Sequence, residues 1–345
     1  MQNFPAAEPV LFAVFLSVLP LIFIVLMVLV VLYTEMKVAA HIQDRVAYMR
    51  TGWHGVLQPI ADMLKLLQKE DIIPMKADKL LFRLAPFIAF TGTYVAYAVL
   101  PFSSIYVGSN INLGIFFLVA AGSLVVIGIL MAGWASNNKW SLFGGIRSAA
   151  QMISYEIPTA LAIIIVVMIA GSLNLQEVTK FQDGGIGRWI VFGGPLPWTE
   201  KILLLPFTVV TFIILFVASV AEVNRTPFDL PEAESELVQG FNTEYSGMRF
   251  AMFYLSEYAN LFTVSAVVVS LFLGGWSSPF ASLMTGPVWG IFWFVLKAYF
   301  FMLLQIWLRW TLPRLRVDQL MFVSWKVLTP WLFVCLLAVG LILVV

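Results

Sequence analysis

Eight stretches of about 20 mostly apolar residues dominate this chain, the length and character of a helix that crosses a hydrocarbon layer roughly 30 Å thick. They lie at about 10–33, 81–101, 112–134, 152–171, 201–221, 250–273, 285–308 and 325–345. In lipid, every backbone polar group must be bonded within the protein, so segments like these fold as helices. Charged residues make up 11% of the 345 and hydrophobic residues 61%, which leaves too little polar side chain to clothe a soluble core. The pattern predicts an all-α integral membrane protein, residues 1–345 forming one polytopic domain with eight transmembrane helices. The first apolar run follows Glu8, has no Lys or Arg before it and exceeds a signal-peptide core in length, so it reads as a retained membrane helix.

Basic residues fix the expected orientation. Lys37, Arg45, Arg50, Lys65, Lys69, Lys76 and Lys79 follow the first span; Lys139 and Arg147 lie between the third and fourth. Arg225 and Arg249 lie between the fifth and sixth, and Arg309, Arg314, Arg316 and Lys326 between the seventh and eighth. The opposite side carries Lys180, Arg188 and Lys201. Cytoplasmic loops concentrate Lys and Arg, so these four loops are expected in the cytoplasm and the N- and C-termini outside. Inside the first loop, Val56, Leu57, Ile60, Met63, Leu64 and Leu67 follow helical spacing, with Gln58, Asp62, Lys65 and Lys69 opposite. That spacing predicts a cytoplasmic amphipathic helix over about 53–70, too polar to span. It either rests among headgroups or walls an opening through which an apolar molecule enters from the bilayer. The Gly- and Pro-rich segment 172–200 is expected to be an irregular external connection.

Composition also limits the chemistry. A net charge of +1 gives nucleic-acid binding no support. Cys335 is the lone cysteine, and His41 and His54 the only histidines, too few to ligate an iron–sulfur cluster. Cys335 reads as a packing residue, and any electron transfer is expected to proceed without a metal centre on this chain.

Ionisable groups within spans are costly and point to function. Glu156 lies near the start of the fourth span, Glu222 at the cytoplasmic end of the fifth, Glu257 inside the sixth and Lys297 midway along the seventh. They either neutralise one another, Lys297 with a glutamate, or form a proton path of carboxyls tuned by low dielectric. Pro158 cannot donate to the carbonyl of Ser154, leaving that oxygen for water or a side chain beside Glu156. The cytoplasmic acidic loop, 222–249, adds Asp229, Glu232, Glu234 and Glu236 to Glu222, against Arg225. Pro227 and Pro231 interrupt any helix through it. The bland account is a solvated loop whose acids cap a helix starting near Glu232. The alternative folds it back on Glu156 and Glu257, so that the group shares protons.

The stretch "AEVNRTPFDLPEAESELVQGFNTEYSG", residues 221–247, resembles the acidic segment of the quinone-site membrane subunit of respiratory complex I. "VLQPIADMLKLLQKE", "AGWASNNKWSLFGGIRSAAQMISYEIP", "FLGGW" and "LPRLRVDQLMFVSWKVLTP" are similar to that family in the same order, covering nearly the whole chain. The resemblance implies an eight-span subunit of the bacterial inner membrane, at the junction of the redox and proton-pumping arms of NADH:quinone oxidoreductase. Its substrate would be a quinone, of the ubiquinone or menaquinone type. Electrons would come from an iron–sulfur cluster in a neighbouring subunit. The resemblance carries a proton path onto Glu156, Glu222, Glu257, Asp229, Glu232, Glu234 and Glu236, with Arg225 as loop partner. It carries a quinone chamber and entrance onto Glu35, Arg45, Asp62, Arg309 and Arg314, framed by the amphipathic helix and the first and sixth spans. The segment "TEMKVAAHIQDRVAYMRTG" departs from the family: Met36 stands where an arginine is usual, and Ala47, Tyr48 and Met49 replace a Gly-Pro-Asn turn. Two rivals remain: the equivalent subunit of a membrane-bound hydrogenase-type complex, and a stand-alone proton-coupled transporter.

Overall fold

A computed structural model describes residues 8–231, 234–280 and 284–344. Seven helices among these are long and apolar enough to cross a membrane: Ser17–Ile42, Gly114–Ala135, Lys139–Ala170, Trp198–Glu222, Gly247–Phe272, Pro287–Thr311 and Val317–Val344. In chain order the helices are α1 (Glu8–Ile42), α2 (Gln58–Gln68), α3 (Lys79–Ala96), α4 (Gly114–Ala135), α5 (Lys139–Ala170), α6 (Leu175–Phe181), α7 (Trp198–Glu222), α8 (Glu234–Leu237), α9 (Gly247–Phe272), α10 (Pro287–Thr311), α11 (Val317–Phe322) and α12 (Thr329–Val344). A π-helical turn, Val323–Leu328, joins α11 to α12. The segment expected to span at 81–101 is helical over Lys79–Ala96, 18 residues, and is not among the seven.

Polar caps start the helices. Asp78 accepts from the backbone of Leu80 and Leu81 at 3.1 and 3.3 Å, and Asn138 from Trp140 at 2.9 Å, each satisfying donors that the first turn leaves free. Small residues then bring helices together. A Cβ on Gly128 of α4 would lie 2.7 Å from the backbone nitrogen of Ala89 on α3, so that crossing tolerates only glycine. The α9 span is 83% buried, whereas the other six range from 22% to 56%. It therefore forms the centre of the bundle, touching α1, α2, α3, α7 and α10.

Two expectations need correction, and one pair of alternatives is decided. The fourth span begins at Lys139 rather than near 152 and continues through Pro158. The carbonyl freed by that proline, on Ser154, accepts the Ser324 hydroxyl at 2.6 Å, so a neighbouring helix restores the lost bond. The segment 172–200 is not irregular: it forms α6 and two short 3-10 turns, with Leu175, Val178, Trp189, Ile190 and Val191 buried. The acidic loop is not solvated as a whole. Val223, Phe228 and Leu230 are buried, Phe228 meets the edge of Tyr155, and the Pro227 carbonyl accepts from Leu315 at 3.0 Å.

Candidate functional site

The inward-folded loop brings Arg225 into the bundle. It stands three residues beyond the end of α7 and is 3% exposed. Its Nη1 donates to both oxygens of Glu35 at 2.9 and 3.1 Å, and its Nε lies 2.8 Å from Oε1 of Glu257. Its guanidinium covers the ring of Tyr258 at 4.4 Å, and the Tyr258 hydroxyl donates to Glu35 at 2.7 Å. Arg309, from α10, pairs with the same carboxylate. Residues from α1, α9, α10 and the loop thus form one cluster in which two arginines balance two glutamates. A buried carboxylate is tolerable only when paired in this way. Burial opposes the charge of Arg225, but the carboxylates of Glu257 and Glu35 outweigh it and hold its pKa well above the usual arginine value. Arg225 is thus a fixed cation, and the planar fork of arginine suits a contact with two carboxylates.

Two small cavities continue from this cluster. The first, about 40 Å³, is lined by Glu257, Glu222, Asn224, Asn242, Ser256 and Asn260 among others. The second, about 80 Å³, is lined by Glu222, Asn260, Glu156, Thr159, Ser219 and Thr263 with several apolar residues. Glu222 and Asn260 border both. Glu156 also accepts from Ser123 at 3.1 Å. Each cavity has room for a few waters and polar groups to hold them. Carboxyl groups separated by gaps of this size can pass protons by way of water, the chemistry most available here.

The other predicted residues fall in different places. Asp229 pairs with Arg314 at 3.3 Å and Glu236 with Arg147 at 2.6 Å, tethering the loop at its outer edge. Glu232 lies outside the described residues, and Glu234 contributes its backbone to α8. The expected pairing of Lys297 with a glutamate does not occur: its Nζ bonds the carbonyls of Leu273, Gly275 and Ser277. Leu273 is 16 residues beyond Glu257 on the same helix, about 24 Å along its axis. Glu35 and Arg309, which the resemblance grouped with the quinone chamber, form ion pairs in the same cluster as Glu257 and Arg225. Arg45 is exposed and meets Gln43 at 2.6 Å, apart from that cluster. Tyr258, Asn260, Ser123 and Thr159 escaped the sequence reading. Asn260 had a signal, since it sits three residues from Glu257 on one helical face.

Asp62 borders a different feature, an apolar groove of about 320 Å³ between α1, α2 and α9. Its walls include Leu32 and Met36 from α1, Met63 and Leu67 from α2, and Met252 and Leu255 from α9. Tyr48 lies at the edge, where burial and then the negative charge of Asp62 push its hydroxyl up to about 12. It remains a hydrogen-bond donor throughout the neutral range. Tyr254 lines the groove and packs at 5.0 Å against Tyr258, which touches Glu35. The groove is thereby one aromatic ring away from the charge cluster.

The sequence profile of the family described as NADH dehydrogenase matches residues 15–340. The chain is 51% identical over 330 residues to the H subunit of NADH-quinone oxidoreductase from Chlorobium luteolum, covering 92% of this chain and 86% of that one. It is 48% identical over 321 residues to the H subunit from Anaeromyxobacter dehalogenans, covering 88% and 75%. It is 47% identical over 308 residues to the H subunit from Rickettsia prowazekii, covering 89% and 86%.

Proposed function

The chain belongs to the family of NADH-quinone oxidoreductase H subunits, and from that membership we propose that it is the quinone-site membrane component of such an enzyme in a bacterial inner membrane. In this reading α3 completes a set of eight spans, both termini lie outside, and α2 rests at the cytoplasmic surface. The groove between α1, α2 and α9 admits the quinone from the bilayer. Its apolar walls suit a hydrocarbon tail, and Tyr48 and Asp62 offer polar contacts at its rim. A partner subunit supplies electrons from an iron–sulfur cluster, and reduction consumes two electrons and two protons per quinone.

The observation that carries the coupling is the position of Glu222, in the wall shared by both cavities. Proton demand at the quinone alters the charge balance around Glu35, Arg225 and Glu257. The loop bearing Arg225 then shifts against its tethers to Arg314 and Arg147. Protonation passes from Glu257 through Glu222 to Glu156 and on to the pumping subunits. Glu222→Gln keeps the shape of the side chain and removes its capacity to ionise. In the assembled enzyme in proteoliposomes, NADH:quinone activity and proton translocation should fall together, by tenfold or more. Normal coupled turnover in that variant overturns the assignment.

A further inference from the structure

The end of the bundle away from the acidic loop closes over the ammonium of Lys297. This half-buried group on α10 reaches the turn after α9, with the carbonyls of Leu273, Gly275 and Ser277 at 2.8, 3.0 and 2.7 Å. An ammonium has three donors and no acceptor, so the three carbonyls match its charged form one for one. The Trp189 ring faces it, 4.7 Å from the nitrogen, and adds a cation–π attraction. No described carboxylate forms an ion pair with it.

The turn that supplies these carbonyls is built closely. Gly274 and Gly275 have φ of 69° and 45°, and a Cβ on Gly275 would come within 2.6 Å of the Thr179 side chain. Gln182, just beyond α6, donates to the carbonyls of Ser270 and Leu271 at 3.0 and 3.2 Å and accepts from Gly274 at 3.0 Å. The carbonyls left over at the end of α9 therefore have donors, including one cation, which also suits the negative end of the helix dipole.

The cavity that holds Glu156 and Glu222 extends along α9 as far as Val267 and Val268. From Val268 to Leu273 is about 7.5 Å of helix rise. In that interval lies Phe272, fully buried, its ring 5.6 Å from Phe212. A proton moving this way from the cavity meets an apolar layer and then a positive charge with which no described carboxylate forms an ion pair. Positive charge held by carbonyls inside low dielectric opposes the passage of cations and protons.

We propose that Lys297 is the proton barrier of this protein: held in the turn after α9, its ammonium confines protons reaching Glu222 and Glu156 to the acidic-loop side of the bundle. This rests on the reading that the cavity carries protons, and the test separates the two. Lys297→Gln keeps two donors for the carbonyls and removes the charge; Lys297→Arg keeps a charge. Assembled complexes in liposomes are read for passive proton leak, for protons translocated per NADH, and for NADH:quinone turnover. In Lys297→Gln, leak should rise at least threefold and protons per NADH should fall by half, with turnover close to wild type, while Lys297→Arg stays tight. Adding Glu156→Gln to Lys297→Gln should abolish the extra leak, since the leak enters through that cavity. A tight Lys297→Gln complex, or a leak that Glu156→Gln leaves unchanged, overturns the barrier. Normal pumping in Glu156→Gln alone overturns the underlying reading instead. Should Lys297→Gln fail to assemble, Phe272→Ala decides: it thins the apolar layer while leaving the cation, and a leak there overturns the assignment to Lys297.

Discussion

Arg225→Met should be the most disruptive single change in the acidic loop. The substitution preserves length and apolar volume while removing the charge from a site 3% exposed. Glu35 keeps two partners, Arg309 and the Tyr258 hydroxyl. Glu257 has no other ion pair among the described residues, so it becomes a carboxylate stranded inside the bundle. Breaking a buried pair from one side costs about 3–5 kcal/mol. The lower end applies here, because the Glu257 side chain retains 22% exposure and borders a cavity able to hold water. About 3 kcal/mol corresponds to roughly a hundredfold change in an equilibrium constant. The assay is the thermal midpoint of the assembled complex, for wild type, Arg225→Met, Glu257→Gln and the double variant. Neutralising Glu257 removes the stranded charge, so the double variant should be more stable than the sum of the singles predicts, by about 1–3 kcal/mol. An Arg225→Met complex as stable as wild type, or strict additivity in the cycle, refutes the view that this pair is what holds the loop inside.

Gly144→Ala should destabilise the protein by about 1–3 kcal/mol, because the new Cβ would lie 2.7 Å from backbone atoms of Gly240 and Phe241 and force α5 from the loop; an unchanged thermal midpoint contradicts that packing. Met252→Trp narrows the groove between α1, α2 and α9 and should raise KM several-fold for a long-tailed quinone while sparing a short-chain analogue. Equal effects on both substrates speak against the groove as the entrance.

The sequence made spans legible wherever apolar length alone defines them, as in 201–221, which lies within α7. It failed where packing of small residues extends a helix past its apolar run. The stretch Lys139–Gln151 is too polar to suggest a span, yet Gly144, Gly145, Ser148 and Ala149 pack closely there. The glutamates were recognisable one by one, because charge within an apolar run stands out. The pairing of Glu35 with Arg225 was not. Glu35 and Arg225 are separated by 190 residues, and nothing local marks them as partners. The surroundings of Lys297 were hidden for a related reason. Its acceptors are backbone carbonyls, which any residue carries, and only the positive φ of Gly274 and Gly275 turns them towards it.

The π-helical turn at Val323–Leu328 leaves the last span one residue out of phase. There the Thr329 amide bonds back to the Ser324 carbonyl, five residues earlier, instead of the usual four. Closing that turn to ordinary α-helix would swing Thr329–Val344 about 100° and push it outward by about 1.5 Å, the increment of a single residue. Ser324 is also the residue whose hydroxyl holds the Ser154 carbonyl across the gap made by Pro158. Glu156 sits two positions further along the same helix. The last span and the helix that carries Glu156 are thus geared together through that hydroxyl, so that a change in the phase of one pulls on the break in the other.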